Sequence, residues 1–183
     1  MLKKTSLFKS FIQQGQLIFS SPLLNKLSHT EAYEFIQLCH RRSYKDGEYI
    51  YHQHDPGNGF YIIETGHVEL IIENDEGKQV GQALVVEAPL SFGNLSLIHD
   101  MKRISCARAV GDIVVLGFFG PDFETLSRRN PQIAVKVLSE INRTLARQME
   151  VTRQALIAKT SEPEVNRLQF ETFYSEEQKN KTL

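Results

Sequence analysis

Cysteine is scarce in this sequence: only Cys39 and Cys106 occur among its 183 residues. Two cysteines so far apart predict neither a disulfide framework, nor a zinc site, nor a redox pair, and we expect both to be buried thiols. An excess of charge is also lacking, since 21 basic and 22 acidic residues leave a net charge of -1. This balance gives no general attraction to nucleic acid or to an anionic membrane. We therefore expect no DNA or membrane partner, because a DNA contact would need a local basic patch.

A long apolar run is missing from the N-terminus as well. No segment of signal-peptide length follows Lys3 and Lys4, because the chain is interrupted by polar Ser10, Gln13, Gln14 and Gln16. We therefore expect a cytoplasmic protein. With 41% hydrophobic and 23% charged residues, the chain has the composition of a globular protein. Its length suits one ordinary domain with an appendage.

The hydrophobic pattern changes from helical to strand-like near residue 43. Residues 22–42 are predicted to be helical, with Ser28 and Glu31 spaced as a capping box ahead of an apolar face. After residue 46 come short β-rich segments separated by glycine turns, at residues 49–52, 60–64, 68–73, 80–86, 104–110 and 113–116. Many short strands with such turns predict a mainly β fold, either a sandwich or a jelly-roll barrel.

The segment Phe92–Arg103, with the sequence F-G-N-L-S-L-I-H-D-M-K-R, carries the strongest functional signal. A glycine followed by a short helical turn presents successive backbone N–H groups, which together form a cradle for one phosphate. Arg103 would supply the countercharge, because its planar guanidinium can bind two phosphate oxygens at once. The same residues also fit an ordinary turn between strands, with Gly93 at the bend, Leu95 and Leu97 in the core and Arg103 at the surface.

This segment resembles the phosphate-binding cassette of cyclic nucleotide-binding domains, which runs Phe-Gly-Glu-Leu-Ala-Leu, then a few variable residues, then Arg. The matching residues are Gly93, Leu95, Leu97 and Arg103, and Ser96 replaces one small residue by another. Asn94 stands where the family has a glutamate that accepts a hydrogen bond from the ribose 2'-hydroxyl. A neutral acceptor in place of a charged one lowers the expected affinity roughly tenfold. The ligand site implied by the resemblance consists of Gly93, Asn94, Leu95, Ser96, Arg103, Ile104 and Ser105.

The resemblance extends over roughly residues 22–156. The segments K-D-G-E-Y-I-Y from Lys45 and D-P-G-N-G-F-Y-I-I-E-T-G from Asp55 are similar to the first strands of the family's β-roll. His54 departs from the family, which usually has glycine before Asp55, so the bend there is expected to differ. The implied fold is a double-stranded β-helix (jelly roll) with N-terminal helices and a long C-terminal helix. The implied divisions are an N-terminal extension, the roll with its flanking helices, the long helix and a polar tail, at residues 1–21, 22–130, 131–160 and 161–183.

The long helix is the second functional feature of the sequence. Asn130 and Pro131 are strong start signals, and no glycine or proline follows until Pro163. Apolar residues fall on one face of this helix, at Leu138, Ile141, Leu145, Met149 and Leu156. In the family this helix pairs two subunits and covers the pocket, which implies a homodimer formed through residues 131–158. The alternative is an amphipathic helix lying on its own domain, because Gln148 and Thr152 interrupt a strict heptad seam.

Catalytic and metal-binding patterns are weak in this chain. No Ser-His-Asp order, glycine-rich nucleotide loop or carboxylate pair stands out, so we predict a non-enzyme without a resident cofactor. His52 and His54 alternate as in the metal motif of the cupins, but the further ligands of that motif are missing, and no metal site is predicted. His99 is singled out only because it lies inside the cassette-like segment.

Bacterial transcription regulators of the resembled family carry a DNA-binding winged helix-turn-helix after the long helix. That module needs roughly 60 residues, and we expect none here because only about twenty residues follow Pro163.

Two functions are compatible with these features. The first is a small stand-alone regulatory module that senses an anionic nucleotide, cAMP or a relative, and acts on an unknown effector protein. The second is a degenerate, ligand-free roll that serves as a scaffold for dimerisation or protein interaction. Arg103 and Ser96 favour the first function, and Asn94 favours the second.

Overall fold

The computed structural model describes residues 17, 20–97 and 101–180. A first helix, α1 (His29–Leu38), precedes six strands and a short 3-10 turn (Asn94–Ser96). The strands are β1 (His40–Tyr44), β2 (Tyr49–Tyr51), β3 (Gly59–Ile71), β4 (Leu84–Glu87), β5 (Ser91–Phe92) and β6 (Cys106–Phe119). Three helices follow: α2 (Gly120–Arg129), α3 (Pro131–Ile157) and α4 (Glu162–Asn180).

The described strands form one antiparallel sheet that bends over on itself. Strands β1, β6, β3 and β4 are hydrogen-bonded in that order, while β2 pairs with β6 and β5 pairs with β3. Both long strands change direction midway, where β3 shifts register around Gly66 and β6 passes through Gly111, each with positive φ. The sequence pattern predicts two short strands in place of β3 and two in place of β6. A glycine inside a bent strand gives the same local signal as a glycine in a turn between two strands. The predicted jelly-roll architecture is confirmed.

The bend encloses a core between the two halves of the sheet. Tyr51, Tyr61 and Phe92 pack there with buried aliphatic residues, namely Ile63, Val68, Ala107, Ala109, Ile113 and Val115. A second apolar layer lies on the outer face, where Phe118 contacts Phe35 of α1 at a ring-centroid distance of 4.7 Å. Both faces of this half of the roll are therefore covered by apolar side chains, which accounts for its nearly continuous hydrophobic sequence.

Helix α1 begins where the capping box predicts but is shorter than expected. The Ser28 hydroxyl accepts from the Glu31 N–H at 3.3 Å, and the Glu31 carboxylate accepts from the Ser28 N–H at 2.7 Å. The prediction of helix over residues 22–42 is wrong at both ends, since residues 22–26 form turns and His40–Tyr44 form β1. Residues 40–44 pair with 117–113 of β6, so long-range hydrogen bonding overrides the local helical pattern.

The two cysteines are free thiols in different surroundings. Cys106 is buried at the start of β6, whereas Cys39 at the end of α1 is only half-buried. The expectation that both are buried is therefore correct for Cys106 alone.

Helix α3 begins at Pro131, as the sequence predicts, and continues for 27 residues. Its first turns bury Ile133, Ala134, Val137 and Ile141. Lys136 Nζ lies 2.7 Å from the Glu31 carboxylate of α1, which ties this part of α3 to the first helix. Only Ile141 of the predicted dimer face is fully buried, while Met149 is exposed.

The chain divides into two compact units, Met1–Ile141 and Asn142–Leu183. The division after residue 130 that the sequence suggests remains a proposal. In the second unit, Arg153 donates to Glu162 at 3.1 Å and to Asn166 at 2.9 Å, and Val165 is buried. Residues 162–180, assigned only to a polar tail from the sequence, form α4, and Pro163 with two acidic residues in the first turn is the start signal that was missed. None of the described helices is long and apolar enough to span a membrane.

Candidate functional site

The cassette-like segment forms a tight turn at the end of β5. Gly93 adopts φ 75° and ψ 20°, and the 3-10 turn Asn94–Ser96 follows directly. A β-carbon on Gly93 would lie 2.5 Å from Nη1 of Arg103, so a side chain is excluded both by the backbone conformation and by the neighbouring guanidinium. Ile98, His99 and Asp100 lie outside the described residues, so the interest in His99 stays a prediction.

Arg103 is the central residue of this site. It is buried, with only 4% of its surface exposed, and its Nη1 donates to the Gly93 carbonyl oxygen at 3.1 Å. Its Nε is buried and has no hydrogen-bond partner among the described residues. No carboxylate among the described residues forms an ion pair with it. A buried cation without a counter-ion is costly, so an anion bound at this position would lower that cost.

Aromatic rings supply part of the missing compensation. The guanidinium carbon of Arg103 lies 4.4 Å from the ring centroid of Tyr51 and 5.8 Å from that of Tyr61. Burial raises the pKa of Tyr51 above its ordinary value, and the neighbouring Arg103 cation acts in the opposite direction. Burial likewise raises the pKa of Tyr61. Both phenols are therefore neutral at physiological pH and offer ring faces rather than charges.

Backbone hydrogen bonds hold Arg103 in place from the opposite side. The Arg103 N–H donates to the Asp55 carbonyl at 2.9 Å, and the His54 N–H donates to the Arg103 carbonyl at 2.8 Å. His54 has φ 69°, the left-handed conformation that glycine adopts most easily. The expected change of bend at this position is thus small, because histidine takes the conformation that glycine would have.

Asn94 presents the second unsatisfied polar group. Its Nδ2 donates to the Ser91 hydroxyl at 3.2 Å, while its Oδ1 is buried without a partner. Buried acceptors without a partner are uncommon in folded proteins. Within the described residues of the site there are therefore one donor without a partner, at Arg103, and one acceptor without a partner, at Asn94.

The remaining predicted site residues divide into two groups. Ser96 and Ser105 are buried, and the Ser96 hydroxyl lies 3.5 Å from the Met101 carbonyl oxygen. Leu95 is 38% exposed and Ile104 is 65% exposed, so their side chains point away from the buried groups of the site. Ile104 and Leu95 would reach a ligand through their backbone rather than through their side chains.

An apolar row leads from the arginine across the inner face of the sheet. The register pairs Tyr51 with Ala107, Ala107 with Leu70, and Leu70 with Leu84. Residues paired in this way share a face, and neighbouring strands are about 4.8 Å apart, so the row extends about 14 Å. Leu84 is 64% exposed although it lies on this inner face. The row is therefore an apolar floor that is open at its far end.

A shallow cavity of about 320 Å³ lies elsewhere, around Tyr44, Thr65 and Ile113. Its charged groups, Lys45 and Asp112, are both well exposed and pair with each other at 2.6 Å. It offers none of the buried, unpartnered polar atoms that distinguish the cassette, and we assign it no ligand. Among the described residues, no group of three His, Cys, Asp or Glu side chains is placed to hold a metal ion.

Comparison with known proteins gives the family. Residues 41–130 match the family model described as "Cyclic nucleotide-binding domain". The Cyclic AMP receptor protein of Thermus thermophilus is 32% identical over 125 residues, which are 68% of this chain and 57% of that protein. The chain thus carries a domain of the cyclic nucleotide-binding family.

Solved structures agree with this assignment. The crystal structure of the Thermus thermophilus catabolite activator protein matches with a TM-score of 0.63 and 29% identity, covering 74% of this chain and 62% of that one. A cyclic nucleotide-binding domain from Methylobacillus flagellatus matches with a TM-score of 0.67 at 20% identity, covering 83% of this chain and 85% of that one, which shows the shared fold alone. The chain spans a little over half the length of the Thermus thermophilus receptor protein, so the activity of that whole protein is not assigned to this chain.

Sequence reasoning missed two residues of this site. Tyr51 contacts Arg103, and Ser91 orients the Asn94 amide. Alternation along the predicted strand at residues 49–52 indicates that Tyr51 faces inward, but nothing local places it against an arginine so distant in sequence. The contact of Ser91 with Asn94 could have been predicted from the sequence, because a serine three residues before an asparagine in a tight turn is within hydrogen-bonding reach.

A pair of glycine substitutions tests the geometry around Arg103 without any ligand. Gly93 and Gly81 have φ values of 75° and 73°, but only at Gly93 would an added β-carbon meet other atoms, the nearest being Arg103 Nη1. Both Gly→Ala changes should cost about 1–2 kcal/mol for the left-handed backbone. Gly93→Ala should cost a further 1–3 kcal/mol, roughly, for displacing the guanidinium. Urea unfolding measures both, and equal losses would show that Arg103 does not pack on Gly93.

Proposed function

We propose that this chain is a regulatory, non-enzymatic module that binds a cyclic nucleotide of the cAMP type at Arg103. The observation that carries the proposal is the burial of Arg103, which is 4% exposed and whose guanidinium has one hydrogen bond to the described residues, to the Gly93 carbonyl. A cyclic phosphate is a monoanion whose two free oxygens suit a planar guanidinium. Binding it would supply the counter-ion that the described part of the site lacks.

The orphan acceptor supports a ribose beside this phosphate. Asn94 Oδ1, in the 3-10 turn after Gly93, is buried and receives no hydrogen bond from the described residues. A ribose 2'-hydroxyl is a donor of suitable size, and it would satisfy an acceptor that otherwise costs about 1–3 kcal/mol. A sugar phosphate therefore fits the two orphan groups better than inorganic phosphate does.

The apolar row supports a flat base at the other end of the ligand. Leu70 and Ala107 form its floor, and Leu84 extends it into solvent. Covering exposed apolar surface contributes about 25 cal/mol for each Å² removed from water. Because this floor contains no polar side chain, it would hold a purine by shape and would not select strongly among bases.

A thermal-shift screen tests the proposal directly. A ligand that binds only the folded state must raise the unfolding midpoint. We expect cAMP to raise the midpoint and inorganic phosphate at the same concentration to leave it nearly unchanged. Cyclic dinucleotides and cGMP are screened as well, because the measurement has to show which cyclic nucleotide binds. A midpoint that no nucleotide changes would contradict the proposal.

The alternative function is a ligand-free scaffold, and two observations favour it. Arg103 already donates to Gly93 and stacks on Tyr51, so the guanidinium has contacts of its own in the absence of a ligand. The substitution of the family glutamate by Asn94 points in the same direction. This alternative would be supported if no nucleotide raised the unfolding midpoint and the protein were a dimer.

Replacing Asn94 with glutamate should strengthen binding. The carboxylate would accept a hydrogen bond from the ribose 2'-hydroxyl as a charged group, which is worth about 1 kcal/mol or more beyond a neutral acceptor, or roughly five- to tenfold in Kd. Calorimetry with cAMP measures the change. 2'-Deoxy-cAMP is the control, because it lacks the hydroxyl and should bind both proteins with similar affinity. Equal gains for the two ligands would show that Asn94 does not face the ribose.

The proposal extends to assembly and partners. We propose that the chain forms a homodimer through residues 131–158, acts on an effector protein and does not bind DNA. Exposed apolar residues on α3, including Met149 and Leu156, support the dimer. The net charge of -1 gives no basic footprint for DNA. A duplex-binding assay at low salt tests the last point, and tight sequence-specific binding would contradict it.

A further inference from the structure

We propose that Tyr51 is a positioning residue that holds Arg103 in its ligand-binding orientation through the face of its ring. This inference rests on the proposed function and goes beyond the cassette, since Tyr51 lies on β2, far from it in sequence. The guanidinium carbon of Arg103 lies 4.4 Å from the Tyr51 ring centroid. That distance is well within the range of cation–π attraction, which is strongest where both groups are removed from water.

The ring of Tyr51 is itself fixed by its neighbours. Tyr51 is 9% exposed and belongs to the buried cluster inside the roll. Its ring centroid lies 6.1 Å from that of Tyr61 and 6.0 Å from that of Phe92. Backbone pairing with Ala107 anchors the strand beneath it. The ring is therefore a rigid platform rather than a side chain free to follow the arginine.

Arg103 needs such a platform more than most arginines do. In the part of the chain that the structure describes, the guanidinium donates one hydrogen bond, to Gly93, and its Nε has no partner. A long side chain held by one hydrogen bond samples several rotamers, and a ligand must then restrict them on binding. Stacking on Tyr51 restricts them beforehand and leaves the edge of the guanidinium available to a phosphate.

Tyr51 also reaches the neighbouring candidate residue. Its side chain interacts with that of Ser105, which is buried beside Arg103. One aromatic side chain thus contacts two of the residues expected to face the phosphate. The ring face and the hydroxyl can be tested separately, because phenylalanine keeps the first and removes the second.

Three variants of the full chain separate these contributions by calorimetric titration of cAMP. Tyr51→Leu removes the ring and should weaken binding about tenfold or more, the effect of losing a desolvated cation–π contact. Tyr51→Phe keeps the ring and removes the hydroxyl, so it should bind within about threefold of wild type if the ring face is what holds Arg103. Tyr44→Leu is the matched control, because Tyr44 packs against the same cluster, whereas the described rings that Arg103 stacks on are those of Tyr51 and Tyr61. This variant should bind like wild type.

The opposite result would overturn the inference. If Tyr51→Leu binds cAMP as tightly as wild type or more tightly, then the stacked arrangement is not the one that binds ligand. If Tyr44→Leu and Tyr51→Leu lose affinity equally, the effect is general loosening of the core and the positioning role is likewise wrong.

A ligand-free measurement keeps this test distinct from that of the proposed function. Tyr51→Leu is compared in the wild-type and Arg103→Met backgrounds by urea unfolding, and it should destabilise the Arg103→Met protein less. Equal costs would show that the ring does not hold the arginine. If the coupling is found but wild type binds no nucleotide, the proposed function fails and Tyr51 with Arg103 is a structural contact only, so the positioning role fails too.

Discussion

Replacing Arg103 with methionine should abolish cyclic nucleotide binding while leaving the ligand-free protein as stable as wild type, or more so. The guanidinium is 4% exposed and has no ion-pair partner among the described residues. Replacing a buried charge with an apolar side chain of similar length is often neutral or stabilising, by about 1–4 kcal/mol. The ligand phosphate would lose at least two charge-assisted hydrogen bonds, each worth about 1.5–3 kcal/mol, which corresponds to more than a hundredfold in Kd.

Arg103→Met is informative because it should abolish cAMP binding without lowering the stability of the ligand-free protein. Arg108→Met is the matched control: Arg108 lies on the adjoining strand β6, and its Nη2 is 2.7 Å from the Glu69 carboxylate. Its loss should leave cAMP binding unchanged and lower stability slightly, as expected for a partly exposed ion pair. Urea unfolding and calorimetry on both variants are the measurements. An Arg103→Met protein that binds cAMP normally would show that the cassette is not the ligand site.

Replacing Met149 with glutamate should convert the proposed dimer into monomers. Met149 is 56% exposed in the single chain, and Leu156 on the same face is 36% exposed. A charge at an exposed position costs an isolated chain little, usually within about 0.5 kcal/mol. At the centre of a dimer seam the same charge would be buried without a partner, and the cost would be several kcal/mol.

Light scattering after size-exclusion chromatography measures this change. Gln154→Glu is the control, because it adds the same charge about 140° around the helix from Met149, at an exposed position. Leu145→Glu should act like Met149→Glu. The control should remain dimeric at the same concentration. A wild type that is monomeric at high concentration would contradict the dimer, and so would a Met149→Glu variant that stays dimeric.

Local signals predicted local features of this fold well. Ser28 with Glu31 placed the start of α1, and Pro131 placed the start of α3. Glycines marked where the roll turns, since a positive φ is a property of a single residue. Strand β1 was missed because His40–Tyr44 gains its structure from pairing with β6, and its own sequence continues a helical pattern.

In the candidate site, too, the short local motif could be predicted from the sequence and the long-range contact could not. The cassette and Arg103 could be proposed from the sequence because a phosphate cradle is a short local motif with one returning cation. The stack of Arg103 on Tyr51 depends on the register of β2 against β6 and on the shift between Tyr49 and Tyr51. Register between distant strands is not encoded in any short segment, so this contact required the structure. The unpaired state of Arg103 Nε and Asn94 Oδ1 could likewise be seen only in three dimensions.

Calorimetric titration of cAMP into the wild-type chain is the most direct test of the claim that Arg103 anchors a nucleotide. We expect saturable binding at one site per chain that disappears in Arg103→Met and weakens for 2'-deoxy-cAMP. The loss of affinity for 2'-deoxy-cAMP should be about fivefold, the value of one neutral hydrogen bond. No heat of binding at millimolar cAMP, with an unfolding midpoint that no cyclic nucleotide raises, would contradict the claim that Arg103 is the anchor of a nucleotide site.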